Sequence, residues 1–137
     1  MKSAGYSATP LVKKLGLKEG YKIKLVNPPT NYFELFDELP SGLLITENSA
    51  VLKNFIHFFT KERKELEELL PNLAKEIKQD GMVWVSWPKK AAKIDTNLDG
   101  NIVRSFGLNI GLVDVKVCAV DATWSGLKFV IPVKDRV

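Results

Sequence analysis

The sequence predicts an α/β fold built on a mostly parallel sheet, and three observations carry that prediction. Apolar runs of strand length recur along the chain, separated by stretches with helical spacing. Strands alternating with helices imply crossovers and parallel pairing. Gly81-Met82-Val83-Trp84-Val85-Ser86-Trp87-Pro88 is a nearly continuous apolar run, which reads as a strand buried on both faces. The last two apolar runs are joined by too few residues for a crossover, so they form an antiparallel hairpin. The 137 residues suit a single α/β domain over 1–137, with no internal repeat or linker.

The elements follow in chain order. Thr9 and Pro10 mark a helix start, Leu11, Val12 and Leu15 its apolar side, and Gly16 its end. Residues 21–26 alternate and form a first strand. Asn27-Pro28-Pro29-Thr30-Asn31 breaks it, and residues 32–39 read as a short helix. Residues 43–46 form a second strand, and a third lies within 51–60 around Phe55-Ile56-His57-Phe58-Phe59. Thr60 caps a helix whose stripe is Leu66, Leu69, Leu70, Leu73, Ala74 and Ile77, kinked at Pro71 and closed by Asp80-Gly81. The central strand stops at Pro88, which cannot donate to a ladder. Thr96-Asn97-Leu98-Asp99 resembles a capping box with Asp for Glu, and the helix it opens runs through Phe106 to Gly107. Residues 112–120 and 124–133 form the final hairpin, with Pro132 suited to an edge.

Composition narrows the setting. Hydrophobic residues make up 45% and charged residues 26%, a balance that argues against disorder. No run approaches the roughly 20 apolar residues of a membrane helix. Residues 1–6 lack the apolar core of a signal peptide. A single cysteine, Cys118, leaves no internal disulfide, so a cytoplasmic location is expected. The net charge of +4 permits anionic partners without requiring them. No block of like charges forms a nucleic-acid tail, and Trp84, Trp87 and Trp124 do not alternate with basic residues, so nucleic acid is not an expected partner.

Two resemblances add to this reading. Leu17-Lys18-Glu19-Gly20 before the first strand, the helix and glycine turn leading from Leu66 to Trp87, and the closing hairpin from Leu112 to Val133 resemble the Rossmann-like fold of S-adenosylmethionine-dependent methyltransferases. That resemblance implies strand order 2-1-3-4-6-5, with the last strand antiparallel and helices on both faces. It also implies an acidic residue and a Gly-x-Gly-type loop after the first strand. Here that position reads Val26-Asn27-Pro28-Pro29-Thr30, and only Glu47 stands where the acidic ribose contact after the second strand is expected. The departure argues against methyl transfer, and no cofactor is expected. The chain also resembles a family of small bacterial proteins known only as a domain of unknown function. The likeness rests on Gly5-Tyr6-Ser7-Ala8-Thr9-Pro10-Leu11, Lys13-Lys14-Leu15-Gly16, Trp87-Pro88-Lys89-Lys90, Lys116-Val117-Cys118-Ala119-Val120-Asp121 and Trp124-Ser125-Gly126-Leu127. It implies no activity, cofactor or catalytic residue.

Parallel strands deliver their ends to one edge, where ligands bind. Asn27, Thr60, Trp87, Lys89, Lys90, Asp121 and Trp124 are the candidate ligand-binding residues, offering an amide, a hydroxyl, ammonium groups, a carboxylate and indoles to a small anionic ligand. They also have a purely structural reading, with Thr60 capping, Trp124 covering the core and the lysines solvated. Cys118 and His57 are the only residues of their types, so a Cys–His couple is conceivable, but both lie mid-strand. One histidine and one cysteine cannot build a zinc site of the usual kind, and the phosphate-loop and nucleophile-turn motifs are absent. The leading expectation is a non-catalytic binding or regulatory module acting through a partner protein. The alternative is an enzyme or sensor for a small anionic ligand at the strand-end edge, and a homodimer is compatible with either.

Overall fold

Residues 9–137 are described by the computed structural model. The strands are β1 (Lys22–Val26), β2 (Leu44–Ile45), β3 (Lys53–Phe59), β4 (Ile77–Pro88), β5 (Val113–Ala119) and β6 (Trp124–Val130). They form one sheet in the order β2-β1-β3-β4-β6-β5. β1 pairs in parallel with β2 and β3, and β3 with β4, while β6 is antiparallel to both β4 and β5. This is the expected order with the expected antiparallel strand.

The apolar run of β4 determines the layering. Every residue from Gly81 to Pro88 is buried, so the sheet must be covered on both faces. Val83, Val85 and Trp87 pack on one face with Leu66, Leu70 and Leu73 of α2 (Arg63–Ala74) and Val103 of α3 (Gly100–Asn109). Met82 and Trp84 pack on the other with Leu15 of α1 (Leu11–Leu15), Phe55, Phe59, and Tyr32 from a 3-10 turn at Tyr32–Leu35. Trp84 is fully buried, and its Nε1 donates to the Leu15 carbonyl at 2.8 Å, which pins α1 to the sheet.

Several boundaries depart from the sequence reading. The helix expected over 32–39 is a single 3-10 turn. α2 passes through Pro71 but ends at Ala74, and the buried Ile77 opens β4 instead of closing the stripe. Lys53 pairs with Ile77 but Phe55 with Met82, so residues 78–81 bulge out of register. Gly81 is required there because a Cβ would lie 2.8 Å from the Lys53 carbonyl oxygen. α3 is capped by Asp99, whose Oδ1 accepts from the Ile102 N–H at 2.8 Å, and it runs past Gly107 to Asn109. Gly107 instead makes room for the ring of Phe129. β6 is interior, so the edge strand is β5, and Pro132 lies beyond the ladder. Gly16 stops α1 with φ +82°, as expected, whereas Pro10 occupies the N-cap. The motif residues Gly5 to Ala8 lie outside the described residues.

Candidate functional site

β1, β3 and β4 run in one direction, and β5 shares it because it is antiparallel to β6. Their carboxyl ends therefore bring Asn27, Thr60, Trp87, Lys89, Lys90, Asp121 and Trp124 to one edge of the sheet. The side chains do different work there. Asn27 takes a left-handed φ of +54°, and its Nδ2 donates to the Phe59 carbonyl at 3.1 Å, tying the end of β1 to that of β3. Thr60 is buried; its Oγ1 accepts from the Glu62 N–H at 3.3 Å, closing the turn into α2. Trp87 is buried against Gly100 on the α3 side. Asp121 Oδ1 accepts from the N–H groups of Thr123 and Trp124, both at 2.8 Å, and so shapes the hairpin turn.

Two ammonium groups at this edge are not absorbed by structure, and one indole is absorbed only in part. Trp124 is half-buried on the α1 side, edge-on to Phe59 with ring centroids 5.1 Å apart. Lys89 is held by its backbone, whose N–H donates to the Thr123 carbonyl at 2.8 Å. Lys90 is exposed. Among the described residues neither lysine ammonium has an ion pair, so the edge is locally positive.

A buried polar chain escaped the sequence reading. Tyr32 Oη lies 3.0 Å from His57 Nδ1, and His57 Nε2 lies 2.8 Å from Ser86 Oγ. His57 and Ser86 are fully buried and Tyr32 nearly so. Burial disfavours the imidazolium and pushes the His57 pKa down to about 3, so the ring is neutral and donates from one nitrogen while accepting at the other. Burial also raises the Tyr32 phenol. The available signal was alternation: Phe55, His57 and Phe59 share a face, and Trp84 and Ser86 sit opposite His57 and Phe59. With both nitrogens used by Tyr32 and Ser86, the Cys118–His57 couple does not form. Burial raises the Cys118 thiol against the pull of Lys14, Lys116 and Lys89. No group of three or more potential metal ligands occurs among the described residues.

No protein-family model matches the chain, and no curated protein matches it in sequence. Solved structures do match. A fibrillarin pre-rRNA processing protein from Methanococcus jannaschii superposes with a TM-score of 0.58 at 11% identity, covering 91% of this chain and 70% of that one. The magnesium protoporphyrin IX methyltransferase of Synechocystis PCC 6803, solved with bound SAH, gives 0.57 at 10% identity over 88% and 78%. The N-methyltransferase NodS from Bradyrhizobium japonicum WM9 gives 0.55 at 10% identity over 85% and 86%. Identities this low establish the fold, which is the Rossmann-like fold of S-adenosylmethionine-dependent methyltransferases. The finding corrects the leading expectation of a non-catalytic binding or regulatory module, because many of the neighbours with this fold are methyltransferases by their own descriptions.

The fold family implies an S-adenosylmethionine site near the ends of β1 and β2, and the residues there fit it only in part. Asn27 supplies the left-handed turn for which a loop glycine is usually chosen. Glu47, just past β2, is exposed, and among the described residues it has no hydrogen bond or ion pair. Pro28 and Pro29, however, place rings in the turn and remove two N–H donors. A four-residue 3-10 turn stands where an anion-binding helix start would follow. Residues 27–31 therefore do not form the glycine cradle.

Proposed function

We propose a methyltransferase-like function exercised at the carboxyl edge of the sheet. The observation that carries it is the strand order, with β6 inserted antiparallel between β4 and β5. S-adenosylmethionine, when bound, supplies an electrophilic methyl group. In this chain Glu47 would accept from ligand hydroxyls, and the N–H groups of Thr30 and Asn31 are the donors that the two prolines leave in the turn. Lys89 and Lys90 favour a small anionic acceptor, Trp124 presents an aromatic ring beside them, and Asp121 holds the hairpin in place. Asn27, Thr60 and Trp87 fix the strand ends that these groups stand on. Membership of the small bacterial family marked by Trp87-Pro88-Lys89-Lys90 belongs to the same reading. So does a cytoplasmic setting, supported by the lone Cys118.

Calorimetric titration with S-adenosylmethionine and its demethylated product tests this. Because two backbone donors are missing, we expect a Kd between about 0.1 and 1 mM, roughly −4 to −5.5 kcal/mol. Glu47→Gln should weaken binding further. Absence of binding by both ligands at several-fold higher concentration would refute the reading.

A further inference from the structure

The α1-side face of the β5–β6 hairpin carries a concentration of positive charge that is unpaired among the described residues. Lys116 and Lys128 are directly opposite one another across the ladder, and Lys128 is opposite the buried Trp84 on its other side. Like charges in that position repel. Burial, Lys116 and Lys18 all pull the Lys128 ammonium below its usual range. Lys14 of α1, Lys116 and Lys89 act together on the Cys118 thiol, one step further toward the edge. Among the described residues none of these five lysines has an ion pair. On this face the strip runs from the Lys116–Lys128 pair past Cys118 to Trp124, four residues along β6, or about 13 Å at the usual strand rise, and Lys89 follows the end of β4 at Pro88, close enough to act on Cys118. Trp124 lies at the Lys89 end of this strip, on the same face as Trp84.

We infer that this face binds a single-stranded nucleic acid, with Lys14, Lys18, Lys89, Lys116 and Lys128 along its phosphates and Trp124 against a base. A strip of this length exceeds one carboxylate or phosphate and suits a linear polyanion. The aromatic ring beside it selects a polyanion with flat faces over an acidic peptide. Aromatic and basic residues do not alternate along the sequence; the sheet register brings them together. The surface stands independently of the methyl donor.

Fluorescence anisotropy with a labelled single-stranded RNA of about ten nucleotides, within the range such surfaces cover, tests the inference without S-adenosylmethionine present. Five phosphate contacts predict a log–log salt slope of about −3.5. Lys116→Glu should weaken binding at least tenfold and flatten the slope. Its melting temperature should hold or rise, because a repulsive cross-strand pair becomes attractive. Trp124→Leu should weaken binding and leave the slope unchanged. Unchanged affinity in Lys116→Glu, a slope near zero, or equal or tighter binding of a polyglutamate peptide of matched length would overturn the inference. The peptide outcome would assign the face to an acidic protein. Failure of the donor titration alone would leave this result intact, and the reverse also holds.

Discussion

Enclosing His57 among Phe55, Phe59 and Tyr32 removes the imidazole from water, and the core accepts only its neutral form. Stability should follow. The unfolded chain takes up a proton on His57 near its ordinary pKa of about 6.5, whereas the folded chain takes it up only near 3. Between those values the unfolded state binds more protons. Stability is therefore full above about pH 7 and falls as the pH drops, by about 1.4 kcal/mol per unit. Burial alone would raise the Glu76 carboxyl, but its bonds and charge contacts with Lys53 and Lys24 outweigh that and hold it low, so it adds to the loss only in more acid solution. Urea unfolding at pH 7.5, 6 and 5 measures the slope. His57→Gln should abolish the slope over that range, and a slope that persists would assign it to another group.

At the scale of elements, α3 is placed by an absence of side chain. A glycine inside a helix normally costs about 0.5–1 kcal/mol relative to alanine. At Gly107, however, a Cβ would fall 2.2 Å from Phe129 Cε1, and that ring is itself fully buried. Gly107→Ala should therefore destabilise, by about 1–3 kcal/mol, although it improves helix propensity. Thermal melting decides the sign; a rise would mean that the ring of Phe129 moves aside freely. The same contact explains why the helix runs through Gly107 and ends near Gly111, whose φ of +97° suits a stop. On the other face, the hydrogen bond from Trp84 to the Leu15 carbonyl ties α1 to the sheet, and that between Tyr32 and His57 ties the 3-10 turn of the same layer to it.

In the whole molecule, structural and available groups are separated along one edge. Asn27, Thr60, Trp87 and Asp121 spend their polar atoms or rings on strand ends and turns, whereas Lys89 and Lys90 are left without ion pairs among the described residues. Replacing both lysines with alanine should leave the melting temperature within about 2 °C, since surface changes away from such contacts stay within about 0.5 kcal/mol. A drop of 5 °C or more would give these lysines a structural role and remove them from the proposed acceptor site.

Local chemistry in the sequence was sufficient to place the six strands, though not the opening of β4 at Ile77, and to determine the burial of residues 81–88 on both faces, the closing hairpin and the stop of α1 at Gly16. Apolar periodicity, chain length between runs and the conformational freedom of glycine act over a few residues, and together with the family resemblance they led to the full strand order. Tertiary structure alone decided the rest. Ile77 matches the phase of the α2 stripe as well as that of a buried strand, and only the register against Lys53 resolves it. His57 has no local signal naming Tyr32 and Ser86 as partners, because those residues are 25 and 29 positions away. Asp121 reads as a free carboxylate until the hairpin turns its N–H groups back onto it. The lysines of the β5–β6 face are scattered from Lys14 to Lys128 and become one charged strip only when α1 and the hairpin meet on the same side of the sheet. Contacts of that kind depend on the path of the whole chain, which no short stretch of sequence encodes.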